Sequence, residues 1–112
     1  NSMLIFSFDD LTFYIQQLTK QKNINSLSFD VQRLIGSICI NYFHNCYKNH
    51  QTDCAKWGYQ IIDSLAKLPD LAIYRIIKNY YQNFFTGNQK EAGKIIDFFK
   101  DYDLKEIYTV LP

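Results

Sequence analysis

Two histidines and three cysteines are the side chains of this sequence best suited to bind a metal ion, and four of them lie close together. A structural zinc site usually takes four ligands at recurring spacings, and no familiar zinc spacing fits this set: His44, Cys46, His50 and Cys54. His44 and Cys46 point to different faces of one predicted helix, so only Cys46, His50 and Cys54 could converge, without a fourth ligand. We therefore predict no metal site, and we expect no other cofactor.

The remaining reactive side chains lack the partners that catalysis needs. Cys39 has no neighbouring basic residue that would lower the pKa of its thiol. The carboxylate pairs Asp9–Asp10 and Asp101/Asp103 lie near predicted helix ends, where acidic side chains cap a helix or favour its dipole. The sequence contains no glycine-rich phosphate loop and no nucleophile motif. We therefore expect a binding module and no catalytic residues.

Polar residues at helical spacing could bind a ligand instead. They recur every three or four positions on the second and fourth predicted helices, which places each set on one helical face. An asparagine amide can pair with the backbone of any extended peptide, and an arginine can bind a carboxylate. The candidate ligand-binding residues are Arg33, Ser37, Asn41, Asn45, Arg75, Asn79 and Gln82. Alternatively, these residues form only the solvated side of each helix, as any surface helix requires.

Helices are predicted almost throughout, because apolar residues recur at three- and four-residue spacing and only two prolines occur. Ser28 is expected to cap the second helix and Thr52 or Asp53 the third, with Pro69 ending the third and Gly87 in a left-handed turn. The short connections make neighbouring helices antiparallel. The predicted helices cover residues 7–23, 28–49, 52–68, 70–85, 89–101 and 103–111.

Composition indicates a single domain spanning residues 1–112. Hydrophobic residues make up 47% and aromatic residues 17% of the 112 positions, enough for one core. The aromatic residues at helical spacing are expected to form much of that core, and they are Tyr42, Phe43, Tyr80, Tyr81, Phe84, Phe85, Phe98 and Phe99. The net charge of +1 has no basic cluster, which excludes a strong nucleic-acid surface on this part of the protein.

The N-terminus and the cysteine count bear on localisation. The apolar run Met3–Phe6 is too short for a signal peptide, and no apolar stretch reaches the roughly 20 residues that span a bilayer. An odd number of cysteines is atypical of a secreted disulfide framework. We therefore expect a cytoplasmic protein without membrane contact, and we interpret Asn1–Ser2 as a cloning remnant.

The sequence repeats weakly with a period of about 34 residues, which is the length of the tetratricopeptide helix–turn–helix unit. In this register Asn45 aligns with Asn79, and Ile61–Asp63 aligns with Ile95–Asp97. We therefore predict an all-α fold of antiparallel helix pairs, a tetratricopeptide-like right-handed array of about six helices. The repeat-like pairs are 28–68 and 70–102, and their first helices would line a concave face. Small residues are expected where paired helices approach closely: Ala55, Gly58, Ala92 and Gly93.

The last third of the chain combines an aromatic helix, a glycine turn, a charged helix with a second glycine, and a closing Leu-Glu-Tyr segment. These features lie in residues 80–87, 90–93, 96–99 and 104–108. Over roughly residues 70–111 the pattern resembles the C-terminal region of the Rgg/GadR/MutR transcriptional regulators. The resemblance implies tetratricopeptide-like helices that bind a short signalling peptide and support homodimerisation, preceded by a DNA-binding helix-turn-helix domain.

No segment of this sequence resembles the DNA-binding half, so the chain is expected to be a fragment of a longer regulator. It would contact DNA only through that missing N-terminal domain. The alternative is a structural helical module that oligomerises or docks another protein without any small ligand. A concave polar stripe would favour the peptide sensor, and an extended exposed apolar patch would favour the docking module.

Overall fold

A computed structural model of the chain describes residues 7–112. The predictions for Asn1–Ser2 and Met3–Phe6 lie outside the described residues. Within this range the chain is all-helical and contains no strand, as the apolar periodicity predicted. None of these helices is both long and apolar enough to cross a membrane. The α-helices are α1 (Phe8–Leu18), α2 (Phe29–Lys48), α3 (Ala55–Asp63), α4 (Ala72–Phe85), α5 (Gln89–Asp101) and α6 (Lys105–Tyr108).

Side-chain caps explain where α1 and α2 begin. Ser7 and Asp10 form a reciprocal capping box, in which the Ser7 hydroxyl accepts a hydrogen bond from the Asp10 N–H at 3.0 Å. The Ser28 hydroxyl accepts from the Val31 N–H at 3.3 Å, so the predicted cap of α2 is confirmed. The left-handed Gly87 after α4, with a φ of 81°, is also confirmed. Helix α1 is shorter than predicted, because it ends at Leu18.

The third helix differs from its prediction at both ends. Thr52–Cys54 forms a 3-10 turn, and no side chain caps α3. Helix α3 ends at Asp63, and the N–H of Ala66 donates to the side chain of Gln32 at 2.8 Å instead of continuing the helix. Another 3-10 turn, Pro69–Leu71, precedes α4. Distant side chains therefore decide where this helix stops.

The helices pack as two antiparallel pairs whose first members run parallel to each other. Helix α2 lies antiparallel to α3, since Tyr42 donates to the Cys54 carbonyl near one end and Gln32 contacts Ala66 near the other. After the tight turn at Gly87, α5 runs back antiparallel to α4. Contacts from α2 to α4 proceed in the same direction along both helices: Ser37 to Tyr74, Phe43 to Tyr81 and Tyr47 to Phe84.

One apolar cluster joins all of these elements. The predicted core aromatics are buried at Tyr42, Phe43, Tyr80, Tyr81 and Phe99, but Phe98 is 42% exposed. The expected close approach at Gly58 is confirmed, because a Cβ atom there would overlap the Phe43 ring. The same expectation is wrong for Gly93, where a Cβ would meet nothing within 4 Å. Gly36, which the pattern did not single out, brings α2 against the Tyr74 ring of α4, with a built Cβ 2.7 Å from Tyr74 Cγ.

Candidate ligand-binding grooves

The predicted polar residues of α2 lie on its exposed side but differ in how much of their hydrogen-bonding capacity is already used within the chain. Arg33 is exposed, with its guanidinium 5.6 Å from the Phe29 ring centroid. Asn45 Nδ2 donates to the Asn41 carbonyl at 2.8 Å, so part of its hydrogen-bonding capacity is used inside the helix. Ser37 and Asn41 are exposed and border open space on the same side of α2.

The predicted residues of α4 face other parts of the molecule. Arg75 Nη2 donates to the Leu65 and Ala66 carbonyls at 2.5 and 3.2 Å, and this contact fixes the connection between α3 and α4. Gln82 accepts a hydrogen bond from Lys78 at 3.4 Å. Asn79 lies on the side of α4 opposite to the residues that contact α2, two positions from Ile77 and two from Tyr81. The two polar lines therefore do not form one continuous surface.

A groove of about 390 Å³ brings Ser37 and Asn41 together with apolar side chains of α4. We call it the central groove. Its floor and walls come from α2, α4 and residues 104–112, which we call the C-terminal segment. The lining residues are Ser37, Ile40, Asn41, His44, Ile77, Tyr81, Glu106, Ile107, Val110 and Leu111. Its volume falls in the range of about 300–1,000 Å³ that is usual for ligand sites.

Hydrogen-bonding groups lie around a mainly apolar interior in the central groove. Burial raises the pKa of the Tyr81 hydroxyl to about 12, with a smaller contribution from Tyr80, so this hydroxyl is neutral at physiological pH. Ser37 Oγ lies 3.4 Å from Tyr74 Oη across the contact between α2 and α4. Such an arrangement suits a ligand that buries apolar side chains and pairs its backbone with the polar rim.

A second groove, of about 420 Å³, lies between α1 and α2. We call it the outer groove. Its lining is mainly apolar, and it consists of Asp10, Leu11, Tyr14, Ile38 and Asn41. Asn41 therefore borders both grooves. Next to Tyr14 on α1, Phe13 is 63% exposed.

Asn79 borders a third depression, which lies between α4 and α5. Asn83, one turn further on, donates from Nδ2 to the Asn79 carbonyl at 2.8 Å. In the repeat register, Asn49 makes the equivalent bond to the Asn45 carbonyl, also at 2.8 Å. The repeated asparagines therefore share a local bond near the helix C-terminus, and this bond accounts for part of the sequence match without a ligand.

No three of the cysteine and histidine side chains come together in the part of the chain that the structure describes. Burial raises the pKa of the Cys39 thiol to about 12, so this thiol stays protonated at neutral pH. Cys46 is also buried, and its thiol pKa is raised to about 12, chiefly by the same desolvation. His50 occupies a left-handed position after α2, with a φ of 56°. Among residues 7–112 there is no cluster of three or more His, Cys, Asp or Glu side chains that could hold a metal ion.

The sequence reasoning missed most of the central groove. Tyr81 was predicted only as a core aromatic and Ile77 was not singled out, because the sequence holds no signal for which apolar residues border a cavity. The C-terminal segment did carry a signal, because its apolar residues recur at helical spacing in Leu104, Ile107, Tyr108 and Leu111.

Comparison with known proteins does not assign the chain to a family. Neither the protein-family models, nor the curated proteins, nor the solved structures gave a match to the chain.

Proposed function

We propose that this chain is the ligand-sensing region of a transcriptional regulator and that it binds a short peptide in the central groove. The observation that carries the proposal is the meeting of Ser37 and Asn41 with the apolar side chains of Ile40 and Ile77 in one open groove. The apolar interior would take one or two peptide side chains, and the Asn41 amide would pair with the peptide backbone. DNA binding would belong to a separate helix-turn-helix domain.

The arrangement of helices supports a tetratricopeptide-like array. Tandem helix pairs stack so that their first helices run parallel and line a common face, and α2 and α4 run parallel in this chain. The central groove lies on that shared face. Peptide-binding helical repeats use such faces because the first helices present side chains at regular spacing along an extended ligand.

The test is selection from a library of random octapeptides on the full chain, followed by titration of labelled synthetic peptides. Asn41→Ala should weaken binding about five- to twelvefold, since one hydrogen bond contributes about 1–1.5 kcal/mol. Asn79→Ala is the matched control, because Asn79 is exposed and faces away from the groove. Its affinity should equal that of the unaltered chain.

Equal weakening by both substitutions would contradict the central groove as the site. Failure to select any peptide would contradict the peptide sensor as a whole. The regulator proposal has its own check, because a complete reading frame should encode a helix-turn-helix segment upstream of Met3.

The outer groove and its surroundings favour a second candidate, a surface for dimerisation or protein docking. Phe13 is 63% exposed on α1, Tyr14 is 46% exposed, and Leu34 on α2 is 60% exposed. Exposed large apolar side chains in such numbers on neighbouring helices are typical of a protein contact. Light scattering over a concentration series should show a dimer that Phe13→Ser weakens. Tyr102→Ser, at a similarly exposed aromatic position at the C-terminal end of α5, should leave the dimer unchanged.

A further inference from the structure

The C-terminal segment forms a wall of the central groove that combines apolar surface with a negative charge. Ile107, Val110 and Leu111 line this wall together with Glu106. Among the described residues that line the groove, Glu106 carries the one carboxylate, and none is a lysine or an arginine. With histidine counted as neutral, the formal charge of the lining is therefore negative.

Glu106 and Val110 lie one helical turn apart on this wall. The Val110 N–H donates to the Ile107 carbonyl at 3.3 Å, so the backbone continues to turn beyond the end of α6. Residues four apart on a turning backbone are neighbours on one face. Val110 is 67% exposed although it lines the groove, so apolar surface beside the carboxylate is open to a ligand.

The Glu106 carboxylate forms no ion pair within residues 7–112. The ion pairs of this range join Lys78 to Asp63 at 3.0 Å and Lys94 to Glu91 at 3.2 Å. Glu106 is exposed, so it keeps its charge and can approach a cation without a large desolvation cost. The carboxylate is therefore available to a cation that a ligand brings into the groove.

A negative charge at this position also has an effect within the chain. Glu106 lies in the first turn of α6, where an acidic side chain interacts favourably with the helix dipole. The same turn begins with Lys105, which has the opposite effect, and α6 has only four residues. The dipole concerns the stability of α6 and not the choice of a ligand, so the two roles can be measured separately.

An extended peptide can present apolar and basic side chains to this groove together. Ile40 and Ile77 supply apolar surface, and Asn41 supplies an amide for the peptide backbone. Lysine and arginine bury their apolar stems while the charged head stays near water. One such side chain can therefore pack along Val110 and place its charge beside Glu106, whereas an acidic side chain would be repelled there.

We propose that the central groove selects extended peptides in which one arginine or lysine is flanked by apolar residues, and that Glu106 pairs with this basic side chain. The inference rests on the proposed function and adds a ligand class and a residue that determines specificity. An exposed ion pair contributes modest affinity. Its main effect is to discriminate between ligands of opposite charge.

The probes are three sets of octapeptides that differ in one central residue: arginine, its neutral isostere citrulline, or glutamate. All other positions are drawn from neutral amino acids, and both peptide ends are blocked, so that the central residue alone carries charge. Binders selected from the arginine set are resynthesised with each of the three residues, and their dissociation constants are measured by fluorescence anisotropy. We expect arginine peptides to bind about three- to fivefold more tightly than their citrulline counterparts. The glutamate peptides should bind more weakly still.

Two substitutions of Glu106 test the pairing itself. Glu106→Gln removes the charge and keeps the shape, so arginine peptides should lose their advantage over citrulline peptides. Glu106→Lys should reverse the order, so that glutamate peptides bind most tightly. Asp97→Asn and Asp97→Lys are the matched controls, because Asp97 is exposed on α5 and does not line the groove. They change the net charge equally and should preserve the order of the unaltered chain.

Ionic strength and stability provide readouts that a structural role of Glu106 would not reproduce. Added salt should reduce the arginine advantage, because counterions screen exposed charges, and should leave citrulline peptides almost unaffected. Thermal unfolding followed by circular dichroism establishes that each variant is folded. A less stable Glu106→Gln variant that keeps the full arginine advantage would assign Glu106 to the helix dipole and overturn the pairing.

The outcomes separate this inference from the proposed function. Equal affinities of arginine and citrulline peptides for the unaltered chain overturn the basic ligand, while the peptide groove stands if Asn41→Ala still weakens binding. Citrulline peptides that regain full affinity from a free N-terminal amine overturn the basic side chain in favour of the peptide terminus. Absence of binders in all three sets and in the random library overturns both proposals.

Discussion

Gln32 joins the residues just before α2 to the residues that follow α3. Its side chain is 2% exposed, and Nε2 donates to the Leu27 carbonyl at 2.9 Å and to the Asn25 carbonyl at 3.3 Å. Its Oε1 accepts from the Ala66 N–H at 2.8 Å. A buried amide with all of these partners fixes the entry to α2 and the exit from α3 together.

Replacing Gln32 with leucine should destabilise the fold by about 1–3 kcal/mol, because it leaves partly buried backbone groups without hydrogen-bond partners. Gln60→Leu, on the exposed side of α3, is the matched control and should change stability by less than about 0.5 kcal/mol. Urea unfolding followed by circular dichroism measures both. Equal midpoints for the two variants would show that the Gln32 network contributes little.

The Cys39 thiol links stability to alkaline pH. Its pKa rises on folding from 9.0 to about 12, so the folded state holds the proton that the unfolded chain releases. The stabilising contribution is complete below pH 9 and is lost as pH rises from 9 towards 12, by up to about 1.4 kcal/mol per pH unit. Cys39→Val should make the pH dependence shallower in that window. Parallel curves for the two proteins, measured by urea unfolding from pH 7 upward, would contradict this linkage.

At the scale of helices, two glycines in second helices of the pairs have opposite roles. Gly58 lies against the Phe43 ring, so Gly58→Ala forces α2 and α3 apart and should cost about 1–3 kcal/mol. Gly93 faces open space inside α5, so Gly93→Ala should stabilise by about 0.5–1 kcal/mol through helix propensity. Thermal unfolding of the two variants provides the comparison. A loss of stability at Gly93 would show that a neighbour absent from residues 7–112 packs there.

The ends of the helices show how far local sequence determines these elements. Ser28 was a correct cap because its hydroxyl bonds three residues away, within reach of a local pattern. The end of α3 was wrong by several residues, because Gln32 and Arg75 bind the backbone at Leu65 and Ala66 from other helices. Pro69 indicated a break, and Leu68 before it is indeed extended, with a ψ of 144°. Contacts between distant residues determine the helix ends that the local sequence did not predict.

For the whole molecule, a single continuous core predicts a single unfolding transition. Trp57 on α3 packs against the same buried cluster as α1, α2 and α4. Tryptophan fluorescence and far-ultraviolet circular dichroism should therefore give coincident urea transitions. Separate midpoints would indicate that the two helix pairs unfold independently, as long repeat arrays can do.

The all-helical class followed from periodicity, but the candidate site did not. Ser37 and Asn41 were identified because polar residues at helical spacing stand out within an apolar helix. Arg75 and Asn79 satisfied the same pattern, and the packing of α4 turned them towards the α3 connection and the α5 side. A spacing rule places residues on one face of a helix. Which face meets a cavity depends on the rotation of that helix in the assembled core.

Asn41 lies on the crest of α2 between the central groove and the outer groove. Within residues 7–112 its side-chain NH2 group donates no hydrogen bond, while its oxygen is 3.4 Å from Asn45 Nδ2. In a ¹⁵N-labelled sample, this one amide would give a pair of nuclear magnetic resonance signals that respond to occupancy of either groove. Adding a peptide would shift these signals through occupancy of the central groove. Raising the protein concentration would shift the same signals through dimerisation at the outer groove. A single side chain thus serves as a spectroscopic reporter for both of the contacts that this surface offers.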